Sequence, residues 1–250
     1  MKTKRSVSCL VMSCLLITAA HANATVWDLN TDMNASINDN GIWSYGYAVG
    51  DPNDPNAIPP YEALMDPYEV PGIWIKIFPD GINPPHIWYG SGGVGVPEGW
   101  HGMKPGWRYF DDPLVDPEAR NRQAPAVIRW TAPAFFATPG AIAMAALCTP
   151  MNDDGPVEIY IVKSVGGDPL QRTVLLDQKD ITLSNPLEFG TTCEIAEGDT
   201  IDFMVGPQGP QDDIAWNNTD FVGVSITISD QPLPPTCPNQ LPMDFNWDCY

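Results

Sequence analysis

The side chains with chemical potential concentrate between His86 and Phe110. His86, Trp88, Tyr89, Trp100, His101, Trp107, Arg108 and Tyr109 stand there among repeated glycines. A sugar presents apolar C–H faces rimmed by hydroxyls, so a saccharide site needs flat rings flanked by polar groups. Loops carried by a rigid scaffold are where such sites sit. The expected ligand-binding set is therefore Trp88, Tyr89, Trp100, His101, Trp107 and Tyr109. Against it stands the ordinary use of Trp and Tyr as packing anchors.

Catalytic patterns are not readable. His86 and His101 form no His-Glu-x-x-His or paired-His metal pattern. Ser91 lies in Tyr89-Gly90-Ser91-Gly92-Gly93, which lacks the glycine two places before the serine that a nucleophile elbow requires. A glycosidase needs two carboxylates at a set separation, and the 31 acids single out no pair. Asp28, Asn30, Asp32 and Asn34 alternate and would share one face of a strand. Met33 and Asp39 do not suit the sixth and twelfth positions of an EF-type calcium loop. A turn cluster or solvated edge is the expected reading there.

Those residues must be held by β-structure. Strands are expected at Ile42–Ala48, Ile73–Phe78, Ala126–Thr131, Gly140–Leu147, Val157–Lys163, Arg172–Leu176, Leu187–Phe189, Ile201–Val205 and Phe221–Ile228. The last alternates Val222, Val224, Ile226 and Ile228 with Gly223, Ser225 and Thr227, as a half-buried antiparallel strand does. Trp43 and Trp130 alternate with Tyr45 and Arg129 and are expected inside, with Arg129 paired to an acid. Residues 51–72 read as loop, with at most a helical turn at Tyr61-Glu62-Ala63-Leu64, because proline lacks the ladder donor. Residues 79–125 read as irregular. The fold class is all-β: an antiparallel β-sandwich or jelly roll with long Pro/Gly-rich loops.

Lys2, Lys4 and Arg5 precede an apolar stretch and an Ala22-Asn23-Ala24 cleavage site, so residues 1–24 read as a signal peptide, and the protein is expected to be secreted or at the cell surface. Residues 25–230 form the β-sandwich module, 231–243 a Pro-rich linker and 244–250 a separate acidic end. The 250-residue chain carries 12 Lys+Arg against 31 Asp+Glu, a formal charge of −19. Signal removal takes three basic residues and no acid, which deepens it. That field repels nucleic acid and anionic lipid, and no later segment has the ~20 apolar residues of a membrane span. Four cysteines remain and admit three pairings; Cys148 with Cys193 and Cys237 with Cys249 is the expected one.

At Asn40-Gly41-x-Trp43-Ser44-Tyr45-Gly46, Arg129-Trp130-Thr131-Ala132-Pro133 and Gly198-Asp199-Thr200-Ile201-Asp202-Phe203 the chain resembles a family of secreted bacterial modules. That family is common in planctomycete-type exported proteins and is similar in fold to jelly-roll carbohydrate-binding modules. The resemblance spans residues 27–229 in order, with 51–72 and 79–110 longer than usual, and implies no defined catalytic set. Residues 244–250 resemble the opening of a dockerin-type calcium loop. Asp244, Asn246 and Asp248 fall at positions 1, 3 and 5, where a hard cation takes oxygen ligands. Cys249 stands where glycine is usual, and positions 9 and 12 are not reached. Calcium is the cofactor so implied, and a protein partner would bind through a completed segment. The expected function is an exported, non-catalytic interaction module for polysaccharide. The alternatives are a structural surface or matrix protein without a small-ligand site, and a polysaccharide-degrading hydrolase.

Overall fold

The computed structural model describes residues 24–33, 38–50, 57–67, 72–77, 85–89, 100–109, 121–137, 139–150, 156–207 and 221–233. In chain order the strands are β1 (Val26–Asp28), β2 (Trp43–Ala48), β3 (Tyr61–Leu64), β4 (Asp66–Pro67), β5 (Ile73–Ile75), β6 (His86–Tyr89), β7 (His101–Lys104) and β8 (Gly106–Tyr109). They continue as β9 (Asn121–Ala124), β10 (Ala126–Thr131), β11 (Gly140–Pro150), β12 (Val157–Ser164), β13 (Arg172–Ile181), β14 (Leu187–Ile195), β15 (Thr200–Pro207) and β16 (Val222–Ser229). One four-residue helix, α1 (Leu29–Asp32), follows β1. Among the described residues no helix is long and apolar enough to cross a membrane.

The strands form an antiparallel β-sandwich. The eight-stranded sheet runs β14-β11-β16-β7-β6-β5-β4, with β1 on the same edge of β16 as β7. The six-stranded sheet runs β13-β12-β15-β10-β2-β3. The period-2 alternation puts Val222, Val224, Ile226 and Ile228 of β16 and Ile142, Met144 and Ala146 of β11 into the gap between sheets. There they meet Ile128 and Trp130 of β10 and Ile201, Phe203 and Val205 of β15. Trp43 and Trp130 are fully buried and directly opposed in register, and Trp27 meets Trp130 edge-on at 5.5 Å between centroids.

Several expectations need correction. Tyr61–Leu64 is a strand, not a helical turn: Glu, Ala and Leu favour a helix, but the open edge of β2 recruits them in the pairs Gly46↔Leu64, Tyr47↔Ala63 and Ala48↔Tyr61. Residues 79–125 are not irregular throughout, since β6 to β9 lie within them as four-residue strands between proline and glycine breaks. Cys148 and Cys193 do not pair; both are free thiols. They sit on neighbouring strands, but the register sets Cys148 against Leu187 and Cys193 against Ile142. Six ladder positions at about 3.4 Å each hold them roughly 20 Å apart, far beyond the ~7 Å Cα limit of a disulfide. Cys237, Cys249, most of the 231–243 linker, the signal peptide up to residue 23 and the Asp244, Asn246, Asp248 set lie outside the described residues.

Candidate functional site

Pro105 and Pro125 position the part of the chain that sequence reasoning singled out. β7 belongs to the eight-stranded sheet and β10 to the six-stranded one, while β8 and β9 pair only with each other. Each proline lacks the N–H that would continue a ladder. The chain therefore leaves one sheet at Pro105, runs out and back as a two-stranded ribbon, and enters the other sheet after Pro125. Both prolines are buried at the ribbon's root, as is Ala124 in the core.

The ribbon's register is Gly106↔Ala124, Trp107↔Gln123, Arg108↔Arg122 and Tyr109↔Asn121. Directly opposed residues share a face. Trp107, Gln123, Tyr109 and Asn121 therefore lie on one face, and Gly106, Ala124, Arg108 and Arg122 on the other.

The other expected binding residues take packing positions. Trp88 is 4% exposed and Trp100 7%. They cluster with Ile73, Leu147 and Phe221 on the side of the eight-stranded sheet away from the core, and Phe221 meets Trp88 edge-on at 4.9 Å. Gly102 lies directly opposite Trp88 in the ladder, and its missing side chain leaves the space that the indole occupies. Tyr89 is half-buried with its ring against His101. Trp88, Trp100 and His101 thus offer no open ring for a sugar, because tertiary packing has used them.

His101 is fully buried between the sheets. Tyr45 of the opposite sheet meets its Nε2 at 2.5 Å, and its Nδ1 lies 3.2 Å from Asn30 Oδ1. Asn30 Nδ2 donates to Ser225 Oγ. With an acceptor at Nδ1, the neutral ring carries its proton there and accepts the Tyr45 O–H at Nε2. Burial lowers the His101 pKa to about 3. It also raises the Tyr45 hydroxyl well above its ordinary value, with nearby Tyr89 adding to the effect. The group is a neutral strut between sheets.

The acid partner expected for Arg129 is Asp202, and the pair belongs to an array on the outer face of the six-stranded sheet whose other members sequence reasoning did not identify. Arg129 and Asp202 are directly opposed across β10 and β15 and make a two-pronged ion pair, Nε to Oδ1 at 2.6 Å and an outer guanidinium nitrogen to Oδ2 at 2.8 Å. The Tyr61 ring covers the guanidinium, with 3.7 Å from Arg129 Cζ to the ring centroid. Arg172 donates to the carbonyls of Ile58 and Pro59. Burial raises the Asp202 pKa, while the hydrogen bonds and charge of Arg129 pull it down. Lys179 meets Glu158 at 2.9 Å on the same sheet. The signal in the sequence was an arginine and an aspartate each centred in an apolar strand; their pairing needed the register.

Asp28 is a helix cap, not a ligand: its carboxylate accepts from the Asn30 and Thr31 amides at the start of α1. Asp32 accepts from Trp43 Nε1. Among the described residues no group of three or more His, Cys, Asp or Glu could hold a metal ion.

No family model matches the chain, and no curated protein sequence matches it. Among solved structures it is similar to the xylan-binding module CBM15, at 11% identity over 84% of this chain and 99% of that one, with a TM-score of 0.32. It is also similar to CBM29_1, a family 29 carbohydrate-binding module from Piromyces equi, at 9% identity over 76% and 90% with a TM-score of 0.30. A family 35 carbohydrate-binding module from Clostridium thermocellum is similar at 8% identity over 63% and 87%, with a TM-score of 0.27. What those proteins bind is a property of those proteins; the sandwich described above stands on this chain's own strand order.

Proposed function

We propose that this chain is an exported, non-catalytic interaction module that binds polysaccharide along the β8–β9 ribbon. The observation that carries this reading is the ribbon's register, which gathers Trp107, Tyr109, Gln123 and Asn121 on one face. Two aromatics two residues apart on a strand are spaced by about 6.8 Å, so one extended polymer can meet both. The amides opposite them each offer both donors and acceptors to sugar hydroxyls. The ribbon is rooted by buried prolines on a rigid sandwich, the placement from which a loop-borne site acts without reordering. Calcium and a protein partner would act through the Asp244, Asn246, Asp248 segment.

The test is affinity electrophoresis and pull-down of the protein on a panel of soluble and insoluble polysaccharides, with calcium and with chelator. Retention on at least one polymer, lost in Trp107→Ala and Tyr109→Ala, is the expected result. No retention on any polymer would overturn the reading. It would favour a structural surface protein, the alternative that the burial of Trp88, Trp100 and His101 supports.

A further inference from the structure

We infer that the open edge of β14 is a docking site for an extended, basic segment of another protein, which joins the eight-stranded sheet as an added strand. The inference is independent of the polysaccharide reading above.

Among the described strands, the two sheets end at β4 and β14 and at β3 and β13. An unpaired edge offers a row of N–H and C=O groups to any extended chain, and sheet proteins blunt it with short strands, proline, lysine or bulges. Three of these edges are blunted in that way. β4 has two residues, one of them Pro67. β3 follows Pro59-Pro60, and its register shifts between Tyr47 and Ala48 of its partner. β13 carries two register shifts, Lys179, and Asp180 at a φ of 60°. β14 has none of these devices. Its nine residues, Leu187–Ile195, hold one unbroken register against β11 and include no proline, lysine or arginine.

Two contacts show which backbone groups face outward. A Cβ at Gly190 would meet only the Met144 carbonyl oxygen within 4 Å, at 3.8 Å. Met144 therefore turns its carbonyl toward β14, where Thr191 opposes it. Antiparallel pairs alternate between bonded and non-bonded, so Thr191 bonds to β11 while the N–H and C=O of Gly190 point to the open side. Glu188, Thr192 and Glu194 share the alternation of Gly190. Lys163 agrees with this at one end: its Nζ crosses from the six-stranded sheet and donates to the Glu194 carbonyl at 2.6 Å.

The side chains select the occupant. Glu188 and Glu194 are exposed on the outer face, with Gly190 between them as an open floor. On the inner side Phe189 and Cys193 are half-buried against the core, beside Leu175 and Leu176 of β13. Cations opposite the two acids, an aromatic ring opposite the glycine and apolar residues at the alternate positions complement that edge. Main-chain bonds then supply affinity and the alternate side chains specificity. A second copy of this chain fits poorly. Two chains of net charge −19 repel, and pairing over the whole strand about Thr191 sets Glu188 directly against Glu194.

The deciding experiment titrates the protein into a fluorescein-labelled peptide of nine residues and reads anisotropy at about 0.15 M ionic strength. The peptide has valine at odd positions, lysine at positions 2 and 8, threonine at 4 and tyrosine at 6, so that antiparallel addition sets its even residues against the outward groups of β14. Saturable binding is the expected result. It should weaken about tenfold or more when positions 4 and 6 are N-methylated, which removes two ladder donors, and when both lysines become glutamate. Gly190→Pro removes an N–H that faces the open side, so it should abolish binding while keeping the parent's far-UV spectrum. The N-methylated peptide makes the same cut without altering the protein, and the test stands even where the variant does not fold. Binding that survives N-methylation is charge attraction without strand addition and overturns the inference, as does no binding up to about 1 mM. Dimerisation of the parent that Gly190→Pro removes would give the edge to a second copy and overturn the choice of occupant.

Discussion

Acidification should weaken this protein through His101 by an amount that can be separated from all its other titrations. The imidazole has a folded-state pKa of about 3, because burial disfavours its charged form, against about 6.5 in the unfolded chain. Between those values the unfolded state holds a proton that the native state refuses, so stability rises with pH across the window and falls as pH drops through it. The slope approaches 1.36 kcal/mol per pH unit, and from pH 7 to pH 4 the loss comes to about 3 kcal/mol. Urea unfolding of the parent and of His101→Gln at both pH values isolates the effect, since the carboxylates titrate alike in the two proteins. The stability difference, parent minus variant, should shrink by about 3 kcal/mol on going to pH 4. Two parallel pH profiles would refute the argument. They would show that His101 titrates normally in the folded protein and that the Tyr45–His101–Asn30 strut is not sealed from water.

Two further perturbations test the packing around the sheets. Asp202→Ala strands the Arg129 guanidinium beneath Tyr61 and should cost about 3 kcal/mol in urea unfolding, with much of it recovered in Arg129→Met/Asp202→Leu. A loss below about 1 kcal/mol in the single variant, the range of an exposed pair, would show that the pair is solvated. Gly102→Ala places a methyl where the Trp88 indole lies and should cost about 1–3 kcal/mol by overpacking. Trp88→Leu should relieve that cost in the double variant, and an unrelieved loss would locate the strain elsewhere.

The strands that alternate cleanly were legible because their side chains state which face is buried. β10 and β16 announce themselves in Ile128 and Trp130 and in the valine and isoleucine run from Val222 to Ile228. β3 was not legible, because Tyr61-Glu62-Ala63-Leu64 owes its extended shape to the edge of β2 and not to its own propensity. β6 to β9 were hidden by brevity: four residues between proline and glycine breaks carry too few alternations to show a period. Which of the expected binding residues are packed away was not legible for a related reason. Trp88 and Trp107 look alike in sequence, yet one is packed on a glycine floor and the other lies on a ribbon that has left both sheets. The cysteine pairing failed on a single missing quantity, the offset between β11 and β14. No composition or spacing rule supplies an offset, which arises only when the strands choose partners.

The two prolines that root the ribbon also bear on how such a protein can change over time. Because Pro105 and Pro125 end the ladders on either side, insertions and replacements in the twenty or so residues between them are not transmitted into strand pairing. The Tyr45–His101 strut and the Arg129–Asp202 pair lie outside that stretch. Beyond its buried root, which includes Ala124 in the core, the ribbon thus behaves as an exchangeable cassette on a fixed chassis. Related chains could diverge completely in what they recognise while keeping an unaltered sandwich, and a transplanted ribbon should carry its preference with it.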